Sequence, residues 1–171
     1  MLNYLRLFFD LCFFRQSAEN IPRSDTLLLL TATAAIVSGA LNAMPEEGVM
    51  RAVLLATAEV VLFAGGIWIS LIIRGHRERW TQTMTGIYGT TTLLQILTLP
   101  LFGWHMQLAS PDTFGLTLTL PLMAIAGIAI WSLAVMTSIL RQAMQVPIVA
   151  AILIIIGCQA ALLMVLFSLT G

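Results

Sequence analysis

VPIVAAILIIIGCQAALLMVLFSLT, residues 146–170, carries no charge and one strongly polar side chain, Gln159. As a helix rising about 1.5 Å per residue it reaches about 37 Å, more than the roughly 30 Å of hydrocarbon in a bilayer. A stretch this long and this apolar finds its natural solvent in lipid. Working back toward the N-terminus, four further stretches read the same way, at 26–44, 52–73, 84–102 and 114–140. The expected fold is therefore all-α, a polytopic membrane bundle of five transmembrane helices occupying 26–171.

Composition agrees. Of the 171 residues 59% are hydrophobic and only 9% charged, and the mean hydropathy is +0.97, outside the range of ordinary soluble domains. Eight basic residues, all Arg, balance eight acidic ones, so no global field recruits nucleic acid. Cys12 and Cys158 fall at different predicted depths and lack metal-ligand spacing, which leaves both as apolar fillers.

Residues 1–25 form a separate segment. Met1 to Phe14 is too short to span, carries Arg6 and Asp10, and shows no small-residue cleavage pattern, so it is expected to stay in the mature chain. On a helical wheel Asn3, Arg6, Asp10 and Ser17 make a polar stripe, with Leu2, Leu5, Phe8, Phe9, Cys12 and Phe13 over the rest. This predicts an amphipathic helix lying in the cytoplasmic interface, followed by a linker in which Ser24 or Asp25 caps the first span.

Orientation follows from the arginines. With the N-terminus inside, Arg6, Arg15, Arg23, Arg74, Arg77, Arg79 and Arg141 are cytoplasmic and only Arg51 lies opposite, which satisfies the positive-inside rule and puts the C-terminus outside. The expected location is a bacterial inner membrane. Arg74, Arg77 and Arg79 with Trp80 form a basic, aromatic collar suited to anionic lipid headgroups. Together with Phe8 and Phe9, these are the candidate contacts for lipid or a protein partner.

Inside the spans, small residues mark close helix contacts: Thr31, Ala35, Gly39 and Ala43 in the first, Gly66 and Ser70 in the second, Gly157 and Ala161 in the fifth. The third opens with the hydroxyl-rich run Thr81 to Thr92, whose side chains can bond their own backbone. Pro121 predicts a kink in the fourth span, with Thr117 and Thr119 nearby to satisfy freed backbone groups. One acid, Glu59, sits deep within a span. Counted along the helices from the cytoplasmic ends, Glu59 lies at about 21 Å, Gln159 at about 20 Å, Ser38 at about 18 Å and Gln95 at about 17 Å. The matched depths predict one intramembrane polar cluster, either a proton or cation site or a clasp fixing helix register.

No phosphate loop, zinc-protease motif or nucleophile elbow occurs, His76 and His105 fall on opposite predicted sides, and no cofactor or metal site is expected. The arginine-rich second loop running into Arg79-Trp80-Thr81-Gln82-Thr83-Met84, then Gly86 and Gly89, with Trp131-Ser132-Leu133 and Arg141 closing the fourth span, resembles the Yip family of Ypt/Rab-interacting membrane proteins, specifically its small bacterial members. The resemblance covers Ile21 to Gly171. It implies five spans and a role in organising membranes, with no catalytic residue to carry over. Eukaryotic relatives act through small GTPases and have a longer cytoplasmic N-terminal region than the stretch before Ile21, so a GTPase partner is not carried over. The resulting expectation is a non-enzymatic scaffold for lipids, a membrane-protein partner or further copies of itself. The alternative is a small transporter or channel subunit using Glu59.

Overall fold

The computed structural model describes residues 2–108 and 119–170; residues 109–118, which include Thr117 and the expected start of the fourth span at Phe114, lie outside the described residues. Among the described residues six α-helices follow one another: α1 (Leu2–Cys12), α2 (Asp25–Glu47), α3 (Val49–Ile73), α4 (Trp80–Leu108), α5 (Leu120–Met144) and α6 (Ile148–Thr170). The protein is all-α. Four of the helices, α2, α3, α5 and α6, are long and apolar enough to cross a membrane. The surface they present is apolar as well, with Leu29, Val61, Ile69, Ile130, Leu153 and Met164 all largely exposed.

Local chemistry sets the helix ends. Ser24 in extended conformation accepts a bond from the Leu27 amide and caps α2, the role assigned to it or to Asp25. The α2 helix runs on through Pro45 to Glu47, past the expected end of the first span at residue 44. The turn to α3 is then little more than Gly48, whose φ of 76° an L side chain rarely adopts. The Gly75 turn, also at positive φ, ends α3: His76 N–H bonds back to Leu71 and Gly75 N–H to Ile72.

Pro121 does not kink a span. The α5 helix begins at Leu120, which places Pro121 in its first turn, where a missing N–H costs nothing and the fixed φ suits the helix. Trp104 and His105, beyond the expected end of the third span at residue 102, belong to the last turns of α4.

The centre of the bundle is α4, packed against α2, α5 and α1. Eight consecutive residues from Thr83 to Thr90 are buried, so the helix is enclosed on every side there. Four of its hydroxyls are satisfied by its own backbone: Thr83 donates to Arg79 O, Thr85 to Thr81 O, Thr90 to Gly86 O and Thr92 to Tyr88 O. Gly86 and Gly89 let neighbours approach. A Cβ on Gly86 would lie 2.9 Å from the Ile21 side chain, and one on Gly89 would lie 2.5 Å from the Phe8 ring.

Those two glycines receive the N-terminal segment. The α1 helix docks beside α4 and α5 with Phe8, Leu11 and Cys12 buried. The Trp131 indole donates to Cys12 O at 3.0 Å. Contact at Gly89 sets α1 about 13 Å along α4 from Trp80. The linker is also pinned: Ser17 donates to Gln142, Arg79 pairs with Glu19 at 3.3 Å, and Gln82 donates to Ile21 O.

Candidate functional site

Glu59 stands on the packing face of α3, the same face that buries Ala52, Ala56, Phe63 and Ile67. Ala35 and Ala56 are too small to fill the space beside it. A cavity of about 30 Å³ remains, lined by Glu59, Tyr88, Thr91, Gln95 and Gln159 among others; that is room for a water molecule or two. It adjoins an open cleft of about 400 Å³ between α3, α4, α5 and α6, which shares Glu59, Thr91, Gln95 and Gln159 and adds Thr98 and Ser132. Glu59 is exposed rather than sealed. The mouth of the cleft accounts for an accessible side chain on a packing face.

Of the four residues matched by depth, three thus line common walls. The fourth, Ser38, joins through Gln95: its hydroxyl donates to Gln95 Oε1 at 2.6 Å. The second primary amide, Gln159, comes from α6. Two polar residues were missed by sequence reasoning. Asn42 Nδ2 donates to Ser38 O and to Gln95 O, and Thr98 donates to Asn42 Oδ1 at 3.1 Å. Their spacing was a usable signal, since Asn42 follows Ser38 by one turn and Thr98 follows Gln95 by nearly one.

The electrostatics are unbalanced at one point. Among the described residues Glu59 makes neither an ion pair nor a hydrogen bond. Thr91 Oγ1, on both cavity walls, is buried without a hydrogen-bond partner. Tyr88, also on the inner wall, is spent on Val60 O at 2.6 Å. A carboxylate, two amides and a free hydroxyl around a wettable space can hold a proton, a small cation or ordered water. No group of three metal-ligating side chains occurs among the described residues.

The second candidate region is the arginine-bearing end. Arg74 and Arg77 are exposed, Arg77 lying 5.6 Å over the Trp68 ring, which in turn meets Trp80 edge-on at 5.3 Å. Arg79 is different. It is tied to Glu19 and to Gln142 O, so it clasps the linker to α5. Trp80 donates to Ala64 O and is partly buried. Phe8 and Phe9 also separate: Phe8 is buried against Gly89, while Phe9 is 55% exposed and meets the Phe13 ring at a tilt. Only Phe9 of the pair is on the surface where lipid or a partner would meet it. His105 pairs with Thr119 at 2.7 Å, tying the end of α4 to the start of α5.

Taken together, the apolar helices and the inward polar groups define an all-α bundle of the kind that fits an integral membrane protein. No family model matches the chain, no curated protein is similar to it, and no solved structure matches it.

Proposed function

We propose that the chain is a five-span, non-enzymatic protein of a bacterial inner membrane, N-terminus cytoplasmic and C-terminus outside, that organises lipids and membrane-protein partners at its arginine-bearing end. In this reading α4 is the fifth span. Its 29 residues cover about 43 Å, and its hydroxyls are hidden from lipid by the helices around it. The observation that carries the proposal is the docked α1. Phe8, Leu11 and Cys12 fix it to the bundle, while Leu5, Phe9 and Phe13 face outward beside exposed Arg6, an arrangement suited to an anionic membrane surface. The Yip-like part of this reading rests on the sequence resemblance that includes Gly86, Gly89 and Trp131. The test is binding of the purified protein to vesicles with and without phosphatidylglycerol, followed by recovery of partners from native membranes in mild detergent. Phe9→Asp with Phe13→Asp should weaken both, and unchanged recovery overturns the role given to α1.

The Glu59 cleft favours a second reading, a small transporter or channel subunit. The two separate in proteoliposomes. Proton or monovalent-cation flux that disappears in Glu59→Gln supports transport, whereas absence of flux with intact partner recovery supports the organiser.

A further inference from the structure

The α5–α6 hairpin carries a second groove, which shares only Leu133 with the cleft and nothing with the collar. It encloses about 430 Å³ between Ile130, Leu133 and Ala134 of α5 and Ile148 and Ile152 of α6, and it ends at Arg141. Arg141 is exposed and has no carboxylate within ion-pairing distance among the described residues. From Arg141 down to Ile130 the helix covers about 16 Å, close to the thickness of one leaflet of a roughly 30 Å hydrocarbon core. One turn below the guanidinium, Thr137 is 3% exposed, lines the groove, and has a hydroxyl with no hydrogen-bond partner among the described residues. Next to it is Ser138, whose hydroxyl accepts from Gln142 and so keeps its own hydrogen to donate. At the deep end, beside Ile130, the groove is walled by Phe14, set edge-on to Trp131 at 5.6 Å.

We propose that this groove is a site for one anionic phospholipid of the adjacent leaflet. Arg141 takes the phosphate, for which a planar guanidinium is well shaped. The Thr137 and Ser138 hydroxyls lie at the level of the ester carbonyls, and an acyl chain runs along Leu133, Ile130 and Ile152. The choice of an anionic lipid follows from charge: among the described residues no acidic side chain lines the groove to receive the ammonium of a zwitterionic headgroup. The site rests on the lipid-organising reading above and makes it specific.

Native mass spectrometry of the detergent-purified protein, offered phosphatidylglycerol or phosphatidylcholine with identical chains, tests the site. The wild type should retain one phosphatidylglycerol in preference to phosphatidylcholine. Arg141→Gln should cut that retention by about tenfold, the loss expected for one charge-assisted contact, and Arg141→Lys should restore most of it. Ala134→Phe, a filling change at an exposed position, should expel both lipids. Equal retention of the two lipids by the wild type, or retention unmoved by both Arg141→Gln and Ala134→Phe, overturns the proposal. So does a dimer held together through this face. A control at Arg74→Gln with Arg77→Gln separates the two ideas: loss of vesicle binding with the retained lipid intact concerns the collar alone, and the converse concerns the groove alone.

Discussion

At the residue scale, the ends of two helices are built from side chains that ordinarily avoid the conformation they adopt. Phe14 at φ 57° and Gln145 at φ 52° occupy the left-handed position that closes α1 and α5, where glycine is the usual occupant. Each closure has the paired bonds of a helix stop, Arg15 N–H to Asp10 O in α1 and Val146 N–H to Arg141 O in α5. Phe14 has a compensating contact with Trp131. Gln145→Gly should therefore raise stability by about 1 kcal/mol in reversible denaturation in detergent, while Phe14→Gly should give no such gain because the ring contact is lost; a Gln145→Gly protein less stable than wild type counts against the strained cap. Asn42 is the other informative residue. Its removal as Asn42→Leu breaks the bonds to Gln95 O and Thr98 and should cost about 1 kcal/mol, the range of measured interhelical hydrogen bonds in membranes. No change would show that α2 and α4 are held by packing alone.

At the element scale, α1 and α4 depend on one another. The periodicity of Met1 to Phe14 predicts an amphipathic helix with Phe8 and Phe9 both on its broad apolar surface, and since they point about 100° apart only packing divides their roles. Gly89 decides between them by admitting the Phe8 ring. Cys12 reports on this docking, because burial pushes its thiol up to about 11, leaving little of the reactive thiolate at neutral pH. Maleimide labelling of Cys12 should be slow in the wild type and accelerate at least several-fold in Gly89→Leu, which drives the ring out of its notch. Equal labelling rates in the two proteins are incompatible with a docked α1. The buried threonine run of α4 was readable as a helix that returns its hydroxyls to its own backbone. That it is the centre of the bundle was not readable, because centrality depends on what surrounds a helix.

At the scale of the whole molecule, orientation and environment are the testable quantities. The cytoplasmic assignment of the arginine-bearing end predicts that a membrane-impermeant thiol reagent applied to intact cells labels Met50→Cys and spares Glu78→Cys; the reverse pattern inverts the topology. Met50 is 76% exposed, and the Glu78 side chain 55%. The matched depths of Glu59, Gln95, Gln159 and Ser38 were also legible, since distance along a helix is counted from its end. What chain order determined by itself was the solvent and the helices, because apolar length, caps and arginine placement are local properties that need no partner to act. Tertiary structure alone decided which helix is enclosed, that Arg79 clasps the linker, and that Glu59 faces a cleft with no cation beside it among the described residues. Each of those outcomes is a contact between residues far apart in the chain, such as Ser38 with Gln95 or Phe8 with Gly89, and in lipid such contacts are selected by close packing and polar satisfaction across helices.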